Sequence, residues 1–320
     1  MKSGTKFWLI IAAIFVLVGC IAFGGVMAML NWDFSKLSTT EYETNSYEIN
    51  ESFSDISIVT NTADITFVRS ESSMCTVECF ERKNLRHTVT VSDGSLVIDV
   101  LDTRQWYEHI GIGFKTPEIT VYLPESEYAE LSVKSNTGDV SIPEDFSFLN
   151  IDITESTGEV ACSASASGKV KIKTTTGSIS VENVTAGSLD LSVSTGRVTV
   201  SDASCEGNVN VKVTTGRAEL SDITAKNLSS SGSTGDIILT NVIAEEKLTV
   251  ERSTGDVIFN GVDAAEIFAE TDTGNIKGTL LSEKVFVVRT DTGSVSVPST
   301  SSGGRCELIT DTGNIKITLN

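Results

Sequence analysis

Three Asp-Thr-Gly triplets, Asp272-Thr273-Gly274, Asp291-Thr292-Gly293 and Asp311-Thr312-Gly313, are the first candidates for chemistry in this 320-residue chain. An aspartic protease uses two such aspartates, face to face and sharing one proton. Here the aspartate position belongs to a periodic column that other copies fill with Ser156, Thr175, Ser194, Thr214, Ser233 and Ser253. A column that accepts serine or threonine is a turn position, so no proton-sharing dyad is expected. Stacked about 4.8 Å apart, the three carboxylates repel one another. They either splay into water, the expected case, or hold a bridging Ca²⁺ through oxygen ligands.

A polysaccharide lyase on a rod would need carboxylates, Ca²⁺ and a basic residue gathered in one cleft. Arg197, Arg217, Arg252 and Arg289 are available, but the sequence spreads them over successive repeats. Directly after the repeated glycine, Asp139, Glu159, Arg197, Arg217, Asp236 and Asp256 form a ladder of mixed sign, with Arg217 and Asp236 placed for an exposed ion pair. The least repetitive stretch, residues 101–114, holds Trp106, Tyr107, His109 and Phe114 among glycines, which suggests a loop. Such aromatics can anchor a partner or a sugar. The structural reading, preferred here, is that Trp106 and Phe114 plug an open end of the fold. His87 and His109 lie far apart without a cysteine or acid motif between them, and no C-x-x-C pair exists, so neither a metal site nor a cofactor is expected.

The elements that carry these residues follow from one repeat. Thr-Gly recurs ten times, with its glycines at Gly138, Gly158, Gly177, Gly196, Gly216, Gly235, Gly255, Gly274, Gly293 and Gly313, always 19 or 20 residues apart. Aligned on that glycine, apolar residues recur six and four residues before the threonine, as in Leu189 and Leu191, and two and four after the glycine, as in Val198 and Val200. A spacing of two is that of a strand with one buried face. Each coil therefore reads as a strand, a Thr-Gly turn, a second strand and a loop home. One coil cannot bury its own apolar face, whereas stacked coils close a continuous core. The expected fold is all-β, a single-strand parallel β-solenoid wound as a right-handed β-helix. Ten coils occupy residues 131–320. An eleventh, degenerate copy runs from Ile56 to Phe67 with Ala63 in the glycine position. Residues 51–130 are read as an N-terminal β cap containing that copy, with a hairpin about Asp93-Gly94. Residues 33–50, polar and aperiodic, are read as a stalk. The chain ends inside a coil, so the C-terminal coil is the expected open edge for self-association.

Residues 7–30 contain no charge. As a helix they span roughly 36 Å, enough to cross a bilayer. Lys2 and Lys6 precede the segment and Asp33 follows it, placing residues 1–6 in the cytoplasm, 7–32 in the membrane as one transmembrane helix, and the remainder outside. Leu17-Val18-Gly19-Cys20 offers an alternative, a lipobox lipidated at Cys20, against which stands the apolar sequence that continues to Leu30. The other cysteines suggest no disulfide framework. Cys75 and Cys79 are about 13 Å apart on a strand, Cys162 and Cys306 fall on inward positions, and Cys205 falls in a linking turn. With 43 acidic against 24 basic side chains the formal charge is −19, which argues against a nucleic-acid partner.

The N-terminal apolar segment, the Asn61–Phe67 stretch NTADITF and the serial STGDV and DTGNI coils resemble the LiaG-like family of bacterial β-solenoids known as "putative adhesin", and are similar in coil pattern to head-GIN-domain envelope proteins. The resemblance covers nearly the whole chain and implies a surface-anchored, non-enzymatic envelope protein of unknown biochemical task; it supplies no catalytic residues. The sequence is accordingly read as a membrane-anchored extracellular binding or scaffold module, an adhesin or a component of an envelope-stress system. Its partners would be the membrane, an envelope protein or glycan, and a second copy. The alternatives are a polysaccharide-acting β-helix enzyme and a self-assembling structural protein.

Overall fold

The computed structural model describes residues 3–37, 40–106 and 115–320. Its one helix of membrane-spanning length among the described residues, α1 (Ser3–Met29), has a mean hydropathy of 2.8 over its most apolar window and ends at Asn31 and Trp32, both with left-handed backbone. A single 3-10 turn (Phe34–Leu37) follows.

The N-terminal end of the rod contains β1 (Tyr42–Ile49), β2 (Asp55–Thr62), β3 (Asp64–Arg69), β4 (Cys75–Arg82), β5 (Leu85–Ser92), β6 (Ser95–Asp102) and β7 (Glu118–Leu123). The coils then follow as β8 (Glu127–Thr137), β9 (Val140–Ile142), β10 (Ser147–Cys162), β11 (Ser165–Cys205), β12 (Asn208–Thr234), β13 (Ile237–Thr254) and β14 (Val257–Thr273). The far end holds β15 (Ile276–Leu280), β16 (Lys284–Thr292), β17 (Val295–Ser296), β18 (Gly304–Thr312) and β19 (Ile315–Leu319). At 41 residues β11 is far longer than any straight strand of a domain. It covers two coils because its hydrogen-bonded ladder continues around the corners.

Coils pair in parallel with corner on corner: Leu189 lies beside Val209, Thr195 beside Thr215 and Gly196 beside Gly216. The four apolar columns point inward and form one core that continues into the cap. Glycine is required at the corner for two reasons. Gly196 has φ 147°, and a Cβ there would meet the carbonyl oxygen of Gly177 at 1.7 Å. The space of the missing side chain is thus filled by the neighbouring coil's backbone. A second corner lies six residues later, where Asn183, Asp202, Asp222 and Asn241 adopt left-handed backbone, a conformation that Asn and Asp tolerate better than other side chains. Beyond it, Ala203 and Ile223, then Ile223 and Val242, pair as a third strand. The expected loop home is therefore a third side in the middle coils. Cys205 faces inward on that side rather than occupying a turn, and is buried.

Both ends depart from sequential stacking. At the N-terminal end, β2 lies between β6 and β8, and β3 between β7 and β9, so the later strands β6 and β7 form a layer outside the earlier ones. The β5–β6 hairpin turns at Asp93 and Gly94, both with positive φ, as expected of a type I′ turn. Antiparallel β4 joins β7, and antiparallel β1 joins β4. The stalk reading of residues 33–50 is corrected here, because Tyr42–Ile49 is a strand of the cap. Its polar residues hid it, being an edge strand that buries only Ile49 and partly buries Tyr47.

At the other end, β18 pairs with both β14 and β16, and β19 with both β15 and β17. The last coil thus inserts between the eighth and the ninth. Gly303 and Gly304 permit the insertion: a Cβ on either would lie 1.7 Å from a backbone oxygen, of Glu283 in the one case and Ala265 in the other. Lys284 reaches past this glycine pair to Asp263, at 2.6 Å. The open edge is consequently the ninth coil and not the C-terminal one. Ile315 and Ile317 are buried, whereas Val285, Val287 and Val295 are exposed.

Candidate functional site

Where Asp or Asn follows the corner position, its side chain is structural. The Asp139 N–H donates to Asp64 Oδ1 at 2.9 Å, and the Glu159 N–H to Asp139 Oδ1 at 2.7 Å. The same link joins Asp256 to Asp236 (3.0 Å), Asn275 to Asp256 (2.9 Å), Asn314 to Asn275 (2.9 Å) and Ser294 to Asn314 (2.9 Å). In these coils the backbone ladder breaks at the corner, and a side-chain oxygen accepts the freed N–H. Where Ser178, Arg197 and Arg217 stand instead, the ladder to the preceding coil runs through unbroken. Burial pushes the Asp256 carboxyl up, but the Lys277 ammonium at 2.7 Å and the Asn275 donors outweigh it and hold it below the usual carboxylate range.

Asp272, Asp291 and Asp311 are exposed on one column, in the spatial order 272, 311, 291 set by the inserted coil. Arg289 donates to Asp291 at 3.2 Å. Among the described residues these three carboxylates do not converge to ligating distance. Nor do the four arginines share a cleft. Arg197 and Arg217 border a shallow groove of about 590 Å³ along the corner glycines, where Arg217 lies 3.3 Å from Glu219 and 3.4 Å from Asp236. Arg252 is buried instead, donating from Nη1 to the Val213 carbonyl at 2.7 Å.

A fifth inward column, two residues before the corner threonine, was missed in the sequence because it is chemically mixed. It contains Thr60, Ser135, Glu155, Thr174, Val193, Val213, Gly232, Arg252, Thr271, Thr290 and Thr310. Glu155 is 1% exposed, and neither carboxylate oxygen has a well-formed hydrogen bond. Burial pushes this carboxyl up to about 7, outweighing the opposing pull of Ser135 and the Thr157 backbone, with Asp139 and Asp64 adding smaller upward pushes.

Among the described residues, a buried polar cluster lies in the cap, where β4 and β5 diverge from their turn. Cys79, Glu81 and His87 are all buried, with one potential ligand atom from each within 4.8 Å of the others. His87 Nδ1 is 2.8 Å from Glu81 Oε2, and His87 Nε2 is 3.0 Å from Thr60 Oγ1. Glu81 also accepts from the His87 N–H at 2.6 Å and from Asn45 Nδ2 at 2.7 Å. Burial, helped by the charge of Glu81, pushes the Cys79 thiol up to about 12. Pairing His87 with distant His109 obscured this cluster. A usable signal was present in β4, whose inward phase reads Cys75, Val77, Cys79, Glu81 and so places a carboxylate among apolar positions.

Trp106 is 79% exposed and does not plug the rod. It sits at the margin of the described chain; the other loop candidates, Tyr107, His109 and Phe114, lie outside the described residues.

Stacked parallel coils, structural corners and a separately built cap define a β-solenoid protein. The profile of the Toastrack DUF4097 family matches residues 53–216 and 206–320, and the chain belongs to that family. No curated protein matches the sequence. Among solved structures, a "putative lipid binding protein" from Parabacteroides distasonis is 17% identical, with 75% of this chain and 95% of that one covered and a TM-score of 0.48. A "putative adhesin" from the same organism is 12% identical, covering 88% and 98%, with a TM-score of 0.47. Another, from Bacteroides fragilis, is 16% identical, covering 87% and 97%, with a TM-score of 0.39.

Proposed function

We propose that this chain is a single-pass membrane protein whose solenoid stands outside the cell as a non-enzymatic binding or scaffold module. The observation that supports this reading most directly is the fate of the groups an enzyme would need. Arg252 is inside the rod, Arg289 is engaged by Asp291, and the Asp and Asn residues at the corners accept backbone N–H groups. What remains on the surface is a regular acidic rod, suited to display and adhesion rather than to turnover. The apolar length of α1, with lysines before it and Asp33 after it, supports the anchor and its orientation.

Orientation is tested with a cysteine placed at Ser301, which is exposed, while the native cysteines are buried or lie on α1. A membrane-impermeant maleimide should label it in intact cells; labelling only after lysis overturns the orientation. Activity is tested by incubating the full chain, in detergent, with cell-wall glycans. Retention of glycan without new reducing ends supports the binding reading. Release of sugar products that is lost on Arg217→Ala overturns it.

The ninth coil supports a second role in self-association. Val285 and Val287 are 41% and 44% exposed on an unpaired parallel edge, the geometry by which one sheet extends another.

A further inference from the structure

The polar cluster in the cap is more elaborate than closing a rod requires. Glu81 stands in the apolar phase of β4 and His87 meets it from β5, across a turn so short that Arg82 pairs with Leu85. Thr60 rises from the first coil to the far ring nitrogen of His87. We propose that Cys79, Glu81 and His87 form a Zn²⁺ site that ties β4 and β5 to the end of the solenoid.

Three features carry this assignment. A thiol sulfur, a carboxylate and an imidazole nitrogen already lie within 4.8 Å of one another, and the ligand set is the borderline-soft mixture that Zn²⁺ takes. Ca²⁺, which takes oxygen ligands, does not suit it. The surrounding groups are those that orient zinc ligands. With Nδ1 on the metal, the Nε2–H donates to Thr60 Oγ1 and fixes the tautomer, while Asn45 and the His87 N–H hold the two oxygens of Glu81. The charges also close: Zn²⁺ with one thiolate and one carboxylate is neutral, as a buried site must be to avoid a large desolvation cost. On binding, the Cys79 S–H bond breaks and its proton leaves to solvent as the Zn–S bond forms. The neutral imidazole binds through Nδ1 as its Nε2–H tautomer, its single ring proton exchanging from Nδ1 to Nε2 through solvent, so that one proton in all, from the thiol, is released. Tyr47, donating to the His87 carbonyl at 3.1 Å, ties the edge strand β1 to the same site.

The test uses the full chain in detergent, stripped of metal by chelation and titrated with Co²⁺ alone. One equivalent should bind with sulfur-to-cobalt charge-transfer absorption, and Zn²⁺ should displace it. Cys79→Ser should abolish that absorption, and Cys162→Ser should leave it intact. Because Cys79→Ser could disturb folding, the wild-type zinc form should also be examined by X-ray absorption, which should show one sulfur at about 2.3 Å. Binding through oxygen only, an absorption unchanged in the Cys79 variant, or no stoichiometric metal retained after dialysis would each overturn the site.

Discussion

Arg252 lies across the place where Gly232 has no side chain. Its Nη1 passes one coil to reach the carbonyl of Val213 in the next, and a Cβ on Gly232 would sit 2.2 Å from that nitrogen and 1.7 Å from the Val213 oxygen. The pair is complementary in the literal sense, since the cation is inside the rod because the intervening coil leaves it room.

Gly232→Ala should therefore destabilise the solenoid by about 3 kcal/mol, as the new methyl must displace either backbone or guanidinium. Arg252→Met should not. The arginine keeps one hydrogen bond, but its Nε and Nη2 are buried without partners, and burial lowers its proton affinity. A well-packed methionine removes that desolvation cost, so the variant should be as stable as wild type or more so, by up to about 2 kcal/mol. Urea denaturation of the two variants checks both signs; a large loss for Arg252→Met would show that the single bond to Val213 dominates.

Glu155 should give the protein a specific pH dependence. Its folded carboxyl is pushed up to about 7 from a reference value of 4.5, so the folded chain binds more proton than the unfolded one between those values. Stability then falls as pH rises through that window, by about 3 kcal/mol for this group. Asp64 and Asp139, which face it from neighbouring corners, strengthen the effect. Glu155→Gln should gain on wild type progressively from about pH 5 to pH 8, measured as the difference between their unfolding free energies. A difference that does not vary with pH would refute the buried neutral carboxyl.

The corner glycines should be far less replaceable than their small size suggests. Gly196→Ala combines positive φ with a 1.7 Å approach to the Gly177 oxygen, and should cost about 3 kcal/mol or more. Ala63, in the equivalent position of the first coil, is tolerated because the layer outside it is not a Thr-Gly corner: the Asp64 N–H there donates to the Pro117 carbonyl instead. Ala63→Gly should cost only about 1 kcal/mol. Thermal melts of the two variants separate the outcomes.

Lysines at Val285 and Val287 should abolish any association through the ninth coil while leaving the melting temperature nearly unchanged, since both side chains face solvent. Sedimentation equilibrium at high protein concentration, comparing the double variant with wild type, provides the check. A wild-type protein that stays monomeric would remove the proposed edge contact. Oligomers that survive the lysines would move the contact elsewhere.

The repeat itself was legible because its cause is local. An apolar residue at every second position buries one face of a strand, and a glycine every 19 or 20 residues marks a corner packed against the neighbouring coil's backbone, so columns such as Leu189 to Val209 could be aligned from the sequence. The strand Tyr42–Ile49 was not legible, because an edge strand with one wet face carries little apolar signal. The polar inner column was missed because a threonine, a carboxylate and an arginine share it. Only the tertiary structure decided which layer covers which at the ends and which polar groups meet inside the cap. The repeat makes every coil an acceptable neighbour for every other, so local pattern cannot order them. The order is set by long-range contacts, such as Lys284 with Asp263 past Gly304 and His87 with Thr60 under the cap, that exist only once the chain has closed.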